Sequence, residues 1–542
     1  MSASDEVLPI ADGRTALRQV VPAGSRLGRL PVWAAAAAWT AGAVAAFAVY
    51  LLLARTRAVN SDGAANALQA WEMLHGNPLL RGWFLSDVSF YTTELPQYML
   101  VELVHGLNQD VVHVAAAMTY ALAMLLAALL AKGEARGREA VVRVAVAAGI
   151  MLAPQLASGT NVLLSSPDHI GTSVPVMVVW LILDRARPRW YVPVAAGILL
   201  GWAAVADTLV LFIGALPLAL VCAVRVYRAV VVDREPLATQ RYHAALGGAA
   251  VLAAVAAPVA LHAIHTDGGF FVSAPTTQFA PGTTIVSHNL GITGEGLLLL
   301  GGADFLGLKL TPGTVFAMLH VVGVLLAAWG TCLAARRFLR DRDLVGQLLV
   351  AAIVINLATY VLGTHAQSLP STREIGIVLP FSAALAGRLL AGRLLAARLV
   401  PLLAVVLAGY LAGLAYEISQ PAAPAQNQQI TSWLEARHLH TGLSGYWESI
   451  VITLTSGNRV QIRVVSVARG RVGAGTLETN RTWYDPARYS ANFVVLFPGI
   501  PGYPGFTSER PVLDTFGRPA RVYDVGAYTV LVWNKNLLRD LR

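Results

Sequence analysis

Charge is what this chain has least of. Of its 542 residues only 13% are charged, while 56% are hydrophobic and the mean hydropathy is +0.58. Soluble domains run at about 25% charged, so a particle of this size lacks the groups to coat itself for water. Cysteine is nearly absent as well. Cys222 and Cys332 both sit inside apolar runs, which excludes a disulfide framework and suits small buried apolar residues. Lysine is scarce too: only Lys132, Lys309 and Lys535 stand among 40 basic residues, an arginine bias that fits a GC-rich bacterial genome. Phosphate-loop and dinucleotide glycine motifs are missing, and so is a Ser/His/Asp elbow. The net charge of +9 does not signal nucleic acid, because no basic stripe interleaved with aromatics exists. There is also no internal repeat, which weakens a transporter built from inverted halves.

What the chain does have is long apolar runs. A spanning helix needs about 20 mostly apolar residues, and eleven runs qualify or nearly so: 31–54, 110–131, 140–157, 170–183, 190–206, 208–224, 244–264, 313–335, 344–362, 375–391 and 399–416. Arginines recur in the N-terminal tail and at 132–143, 185–189, 225–241, 336–342 and 388–398. Eleven spans put all of these on one side, as the positive-inside rule requires. The expectation is a polytopic α-helical protein of the cytoplasmic membrane, N-terminus in and C-terminus out.

Residues 1–29 read as a disordered cytoplasmic tail with no signal-peptide cleavage site. Residues 30–419 form the transmembrane domain, with large outer loops at 55–109 and 265–312. From 420 to 542, after the linker Gln420-Pro421-Ala422-Ala423-Pro424, a small extracytoplasmic α/β domain is expected. Its elements are a helix at 426–440, strands at 449–455 and 459–467 joined by Ser456-Gly457-Asn458, further strands at 492–497, 519–524 and 527–534, and a helix near 508–516. Long segments on one face place the work at the outer membrane surface.

The first outer loop reads as two helices lying along the membrane. One follows Asn60-Ser61-Asp62-Gly63 and ends at His75-Gly76-Asn77-Pro78; the other starts at Glu94-Leu95-Pro96. This order resembles the GT-C superfamily of membrane glycosyltransferases, particularly bacterial relatives of the protein mannosyltransferases. The resemblance covers roughly 55–400 in architecture and the first loop in motif. It implies transfer of a sugar from a polyprenyl-phosphate carrier to an acceptor outside the membrane. It places the family's first-loop acid on Asp62, as general base toward a hydroxyl or as a cation ligand; an N-cap role is the structural alternative. Where the family often shows a second acid, Gly63 stands here. The Trp-Trp-Asp motif of oligosaccharyltransferases is missing, which argues against transfer of a complete glycan to asparagine.

Other outer-face groups complete the candidate set. Asp168 and His169, after Ser165-Ser166-Pro167, are expected to serve catalysis with Asp62, or to cap the next helix. Asp62 and Asp168 are also the expected ligands of a divalent cation, Mg or Mn, although hard cations want more oxygens. Arg373, Arg81 and His365 are candidates for the donor phosphate, since a guanidinium offers phosphate a bidentate fork; pairing of Arg373 with Glu374 is the alternative. Glu94, Asp87, Asp207, His288 and Glu295 are further candidates, Asp207 reading mainly as a turn residue and 265–312 as a mobile loop. Trp447, Trp483, Tyr484, Asp485 and Tyr489 either stack on a sugar or build the core of the C-terminal domain.

The expected function is therefore a glycosyltransferase whose partners are a polyprenyl-phosphate-linked sugar, membrane lipid and a glycan, lipid or protein acceptor, with no nucleic acid. The rival readings are a lipid or solute transporter or flippase and a non-catalytic cell-envelope scaffold.

Overall fold

The computed structural model describes residues 31–152, 157–274, 278–425, 427–500, 503–507 and 509–541; the expected tail at 1–29 lies outside them. Helix α1 (Val32–Ala54) leads to a first long connecting segment holding α2 (Ser61–Leu74), β1 (Trp83–Leu85) and α3 (Glu94–His105). Helices α4 (Asp110–Lys132), α5 (Gly137–Met151) and the short α6 (Ala157–Leu163) follow. Next come α7 (Asp168–Arg185), α8 (Tyr191–Ala206), α9 (Leu216–Tyr227) and α10 (Arg241–Thr266). The second long connecting segment holds β2 (Phe271–Val272) and α11 (Thr283–Leu300). Helices α12 (Pro312–Arg337), α13 (Leu344–Leu362), α14 (Val378–Ala396) and α15 (Val400–Ile418) complete the helical body.

Each of the eleven apolar runs carries a helix. Among the described residues, eight helices are long and apolar enough to cross a membrane. They are α1, α4, α9 within its longer helical segment Leu211–Val232, α10, α12, α13, α14 and α15. The remaining expected spans are the shorter α5 and α8 and the polar-tipped α7, of 15, 16 and 18 residues. The most apolar outward faces, such as Val251, Leu252, Val255 and Val259 on α10, stay exposed on the protein, as a lipid-facing surface requires. Inside the bundle, Tyr50 and Tyr120 both donate to the Met151 carbonyl, at 3.0 and 2.6 Å, which answers the need to satisfy buried hydroxyls.

The C-terminal segment adds α16 (Gln428–Ala436), β3 (Thr441–Ser444), α17 (Tyr446–Thr455), β4 (Gln461–Ala468), β5 (Arg471–Ala474), β6 (Thr479–Asn480), β7 (Phe493–Leu496), β8 (Gly499–Ile500), β9 (Tyr503–Pro504), α18 (Glu509–Phe516), β10 (Arg521–Val525) and β11 (Tyr528–Val532). Six strands form one mixed sheet in the order β10-β11-β7-β3-β4-β5, with β3 parallel to both its neighbours. One sequence expectation is corrected here: 449–455 is helix, not strand. Its β-branched run suggested a strand, but residues 448–454 are buried throughout, so no exposed face left an amphipathic helical period to read. A second correction concerns 265–312, where glycines at 291, 294 and 296 hid helix α11 inside an expected loop.

Two devices dock the C-terminal sheet onto the first connecting segment. A three-stranded sheet pairs β1 with β2 in parallel and with β6 antiparallel, so it draws on both long connecting segments and the C-terminal segment. Helix α17 then packs on α2: Ile450, Val451 and Leu454 share one apolar cluster with Ala64, Ala65, Ala67 and Leu68.

Candidate functional site

Where the two long connecting segments and the C-terminal segment meet the helical body lies a cavity of about 900 Å³. Its polar lining includes Asp62, Asp87, Asp168, His169, Asp207, His365, Arg373, Glu374, Tyr446 and Glu478, and its apolar wall includes Leu209, Phe212, Phe279 and Leu362. Residues far apart in sequence converge because four elements end here. They are the first turn of α2, the start of α7, the turn before α14 and the crossover after β3.

Asp62 occupies the first turn of α2, and Asn60 is the cap: its Oδ1 accepts from the Gly63 amide at 2.8 Å. The capping alternative for Asp62 is thereby removed, and its carboxylate is free to face the cavity. Arg373 Nη1 donates to Asp62 Oδ2 at 2.5 Å, and the Tyr446 hydroxyl donates to Asp62 Oδ1 at 2.7 Å. Burial alone would raise the Asp62 carboxyl, but Arg373 and Tyr446 more than offset it and hold the group below the usual carboxylate range. Gly63 explains the missing second acid. A Cβ there would lie 2.6 Å from Val112 Cγ1 and 2.8 Å from Ser166 Cβ, so the close approach of α2 to its neighbours leaves no room for a side chain.

The same Arg373 nitrogen lies 3.7 Å from Asp168 Oδ2. Asp168 opens α7 without making a side-chain cap, and its backbone is strained at φ +32°. It is 6% exposed, and its Oδ1 has no hydrogen-bond partner in good geometry. Burial raises its carboxyl; Arg373 offsets part of that, and the negative Asp62 adds to it. Beside it, His169 Nδ1 lies 2.9 Å from Asp207 Oδ2, which also accepts from Thr172 Oγ1 at 2.5 Å. Asp207 Oδ1 accepts from the Leu209 amide at 2.8 Å. Asp207 thus holds the turn before α9 and the imidazole together. Burial would lower His169, yet the Asp207 carboxylate lifts it to about 9, so the ring is a cation at neutral pH.

Arg373 does not pair with Glu374. Glu374 instead meets His365 Nδ1 at 3.1 Å, which raises the imidazole above its ordinary value. Arg373 is 39% exposed toward the cavity, and its one hydrogen bond among the described residues runs to Asp62. The unengaged guanidinium edge is what an anion would use.

The other sequence candidates lie elsewhere. Asp87 lines the cavity. Arg81 is exposed away from it, its backbone held by Asn77 and Asn480. Glu94 is buried behind the cavity, receives the Thr93 hydroxyl and lies against Gly171, where a Cβ would come within 2.2 Å of Glu94 Oε1. Burial lifts its carboxyl to about 8. His288 and Glu295 are exposed on α11, outside the cavity lining. Of the C-terminal aromatics, Trp447 lines the cavity, while Trp483 is buried against Trp83 with Arg463 stacked over it at 4.0 Å. Sequence reasoning missed Tyr446 and Glu478. Neither carries a motif; only the approach of β3–α17 and β6 to the first outer loop brings them in.

The expected cation site does not fit this arrangement. Among the described residues no group of three or more His, Cys, Asp or Glu could hold a metal ion. The guanidinium of Arg373 already lies against both Asp62 and Asp168, where a cation bridging the two would have to sit.

No family model matches this chain, and no curated protein matches it at a significant level. Among solved structures, the chain is similar to the crystal structure of the Archaeoglobus fulgidus oligosaccharyltransferase in complex with Zn and sulfate. The identity is 14% and the TM-score 0.46, over 83% of this chain and 67% of that one.

Proposed function

We propose that this protein is a glycosyltransferase of the GT-C type, which moves a sugar from a polyprenyl-phosphate carrier to an acceptor at the outer face of the cytoplasmic membrane. The observation that carries the reading is Arg373. It is a guanidinium anchored on one nitrogen by Asp62 with the rest open to a cavity of about 900 Å³. A second cation, His169, and two carboxylates surround the same space. That chemistry suits an anionic leaving group and a nucleophile that must lose a proton.

The arrangement supports each part of the reaction. Arg373 and the His169 imidazolium hold the carrier phosphate and stabilise the charge it gains as the bond from the sugar breaks. The Asp62 and Asp168 carboxylates, both against Arg373, are the groups available to take a proton from the nucleophile. The apolar wall of Leu209, Phe212 and Leu362 gives the lipid part of the donor a surface on which to lie. The arginine-rich connectors support a cytoplasmic N-terminus, with the C-terminal sheet outside. Likeness to the protein mannosyltransferases within this class rests on the first-loop motif.

The test is turnover. Purified protein is mixed with polyprenyl-phosphate mannose and polyprenyl-phosphate glucose, and sugar release to water or transfer to added glycans is measured. Wild type should act on at least one donor, and Arg373→Ala should lose about a thousandfold or more, the scale of removing a principal electrostatic stabiliser. If wild type binds neither donor, the glycosyltransferase reading is wrong.

A further inference from the structure

We propose that the two carboxylates divide the labour: Asp168 takes the proton of the attacking hydroxyl, and Asp62 is the anchor that positions Arg373 on the carrier phosphate. This deepens the glycosyltransferase reading and rests on it. It departs from the expectation that the acid after the first span is the base.

The geometry separates the two groups. Both oxygens of Asp62 are engaged, Oδ2 by Arg373 at 2.5 Å and Oδ1 by the Tyr446 hydroxyl at 2.7 Å. A carboxylate tied to a guanidinium and a phenol is stabilised in its charged form, which makes it a weak proton acceptor. Asp168 is the opposite case. It is buried and lines the same cavity; the Ser166 side chain supports the carboxylate, while Oδ1 is left without a hydrogen-bond partner among the described residues. A buried acceptor left unsatisfied is costly, and it is retained here on a strained first turn, at φ +32°. A substrate hydroxyl is the group that would complete it. The charged and titratable groups facing Asp168 are Arg373, Asp62, His169 and Tyr98. Burial and the charge on Asp62 leave this carboxyl raised from its ordinary value while Asp62 is lowered, so Asp168 is the better proton acceptor of the two.

The step balances. The acceptor oxygen forms a bond to the anomeric carbon, the bond from that carbon to the phosphate oxygen breaks, and its electron pair leaves with the carrier phosphate. The acceptor proton passes to Asp168 Oδ1. The charge gained by the departing phosphate falls on Arg373, which Asp62 and Tyr446 hold in place from the other side.

The experiment compares Asp168→Asn with Asp62→Asn in the full-length protein, with polyprenyl-phosphate mannose and glucose as donors and sugarless polyprenyl phosphate as the binding probe. Asp168→Asn should cut kcat by about a hundredfold or more, the range of general-base catalysis, and leave polyprenyl-phosphate affinity within about threefold. Retained binding shows that this variant is folded. Asp62→Asn should weaken that affinity by about tenfold and cost less in kcat than Asp168→Asn. In wild type, kcat should fall on the acid side with an apparent pKa above the ordinary carboxylate range. An Asp168→Asn variant with near-normal kcat, a larger kcat loss in Asp62→Asn, or an acid limb at or below that range would each overturn the assignment. Those outcomes all require a wild type that turns over. A wild type that binds no polyprenyl phosphate and releases no sugar would instead remove the glycosyltransferase reading itself.

Discussion

Two arginines in this protein are each bracketed by two aspartates, one ahead of α14 and one in its second half. Arg388 has all three guanidinium nitrogens engaged: Nε and Nη2 donate to Asp343 at 2.5 and 3.0 Å, Nη2 to Asp184 at 2.7 Å, and Nη1 to the Leu130 carbonyl at 2.8 Å. It is 12% exposed and ties α4, α7 and α14 to the start of α13. Arg373 makes one hydrogen bond among the described residues, to Asp62, is 39% exposed and faces a cavity. The residue types are the same, but the satisfaction is not. A guanidinium with every nitrogen engaged is a brace, whereas one with nitrogens to spare on a cavity wall keeps the chemistry to bind an anion.

The sharpest way to break this comparison is to remove each arginine and read stability and binding separately. Arg388→Ala leaves the buried Asp184 side chain with only the longer contact to Arg185 and the partly exposed Asp343 with no cation, and breaking a buried pair costs up to about 3–5 kcal/mol. Its melting temperature in detergent should therefore fall steeply. Arg373→Ala takes away one hydrogen bond rather than four, so it should lower the melting temperature less than Arg388→Ala while losing polyprenyl-phosphate binding. Equal melting losses in the two variants would erase the distinction between brace and site.

A smaller effect is expected at Tyr446, where the C-terminal sheet reaches the outer cluster. Tyr446→Phe removes one hydrogen bond to a charged carboxylate, an interaction on the order of 1.5–3 kcal/mol. Polyprenyl-phosphate affinity should fall by about tenfold, with only a small drop in melting temperature, because the ring and its packing remain. An affinity equal to wild type in a titration would show that Asp62 holds Arg373 without help from the C-terminal segment.

A last effect concerns pH. Glu478 accepts from the Ser86 amide at 2.7 Å and from Gln69 at 2.5 Å, and burial lifts its carboxyl from 4.5 to about 7. The folded state therefore keeps a proton that the unfolded chain has lost between those two values. This contribution to stability is fully present below pH 4.5, declines as pH rises toward 7, and is flat above. Glu478→Gln should flatten that decline when melting temperatures are compared at pH 5 and pH 8. A variant whose melting temperatures track wild type at both pH values would rule Glu478 out as the titrating group.

Much of the helical body is legible in the order of residues alone, since eleven apolar runs became eleven helices and α2 and α3 fell where the first-loop pattern put them. The outer cluster was legible only as a scatter of outer-face polar groups. Asp62, Asp168, Asp207 and Arg373 were each visible as exceptions in an apolar chain, but nothing local told Arg373 apart from Arg81, or Asp168 from Glu94. Helix α17 was misread because a segment buried on every side shows no period. Tyr446 and Glu478 were invisible because their roles depend on partners hundreds of residues away.

Sequence by itself determined where the apolar layer must lie. A run of about 20 apolar residues has one low-energy solution in lipid, a helix that satisfies its own backbone, and no distant partner is needed to decide it. Tertiary structure alone decided which rare polar groups became a site. Asp62 meets Arg373 across 311 positions and Tyr446 across 384. Which oxygen is tied down and which is left unpartnered is settled only when α2, α7, the turn before α14 and the C-terminal sheet close on one another.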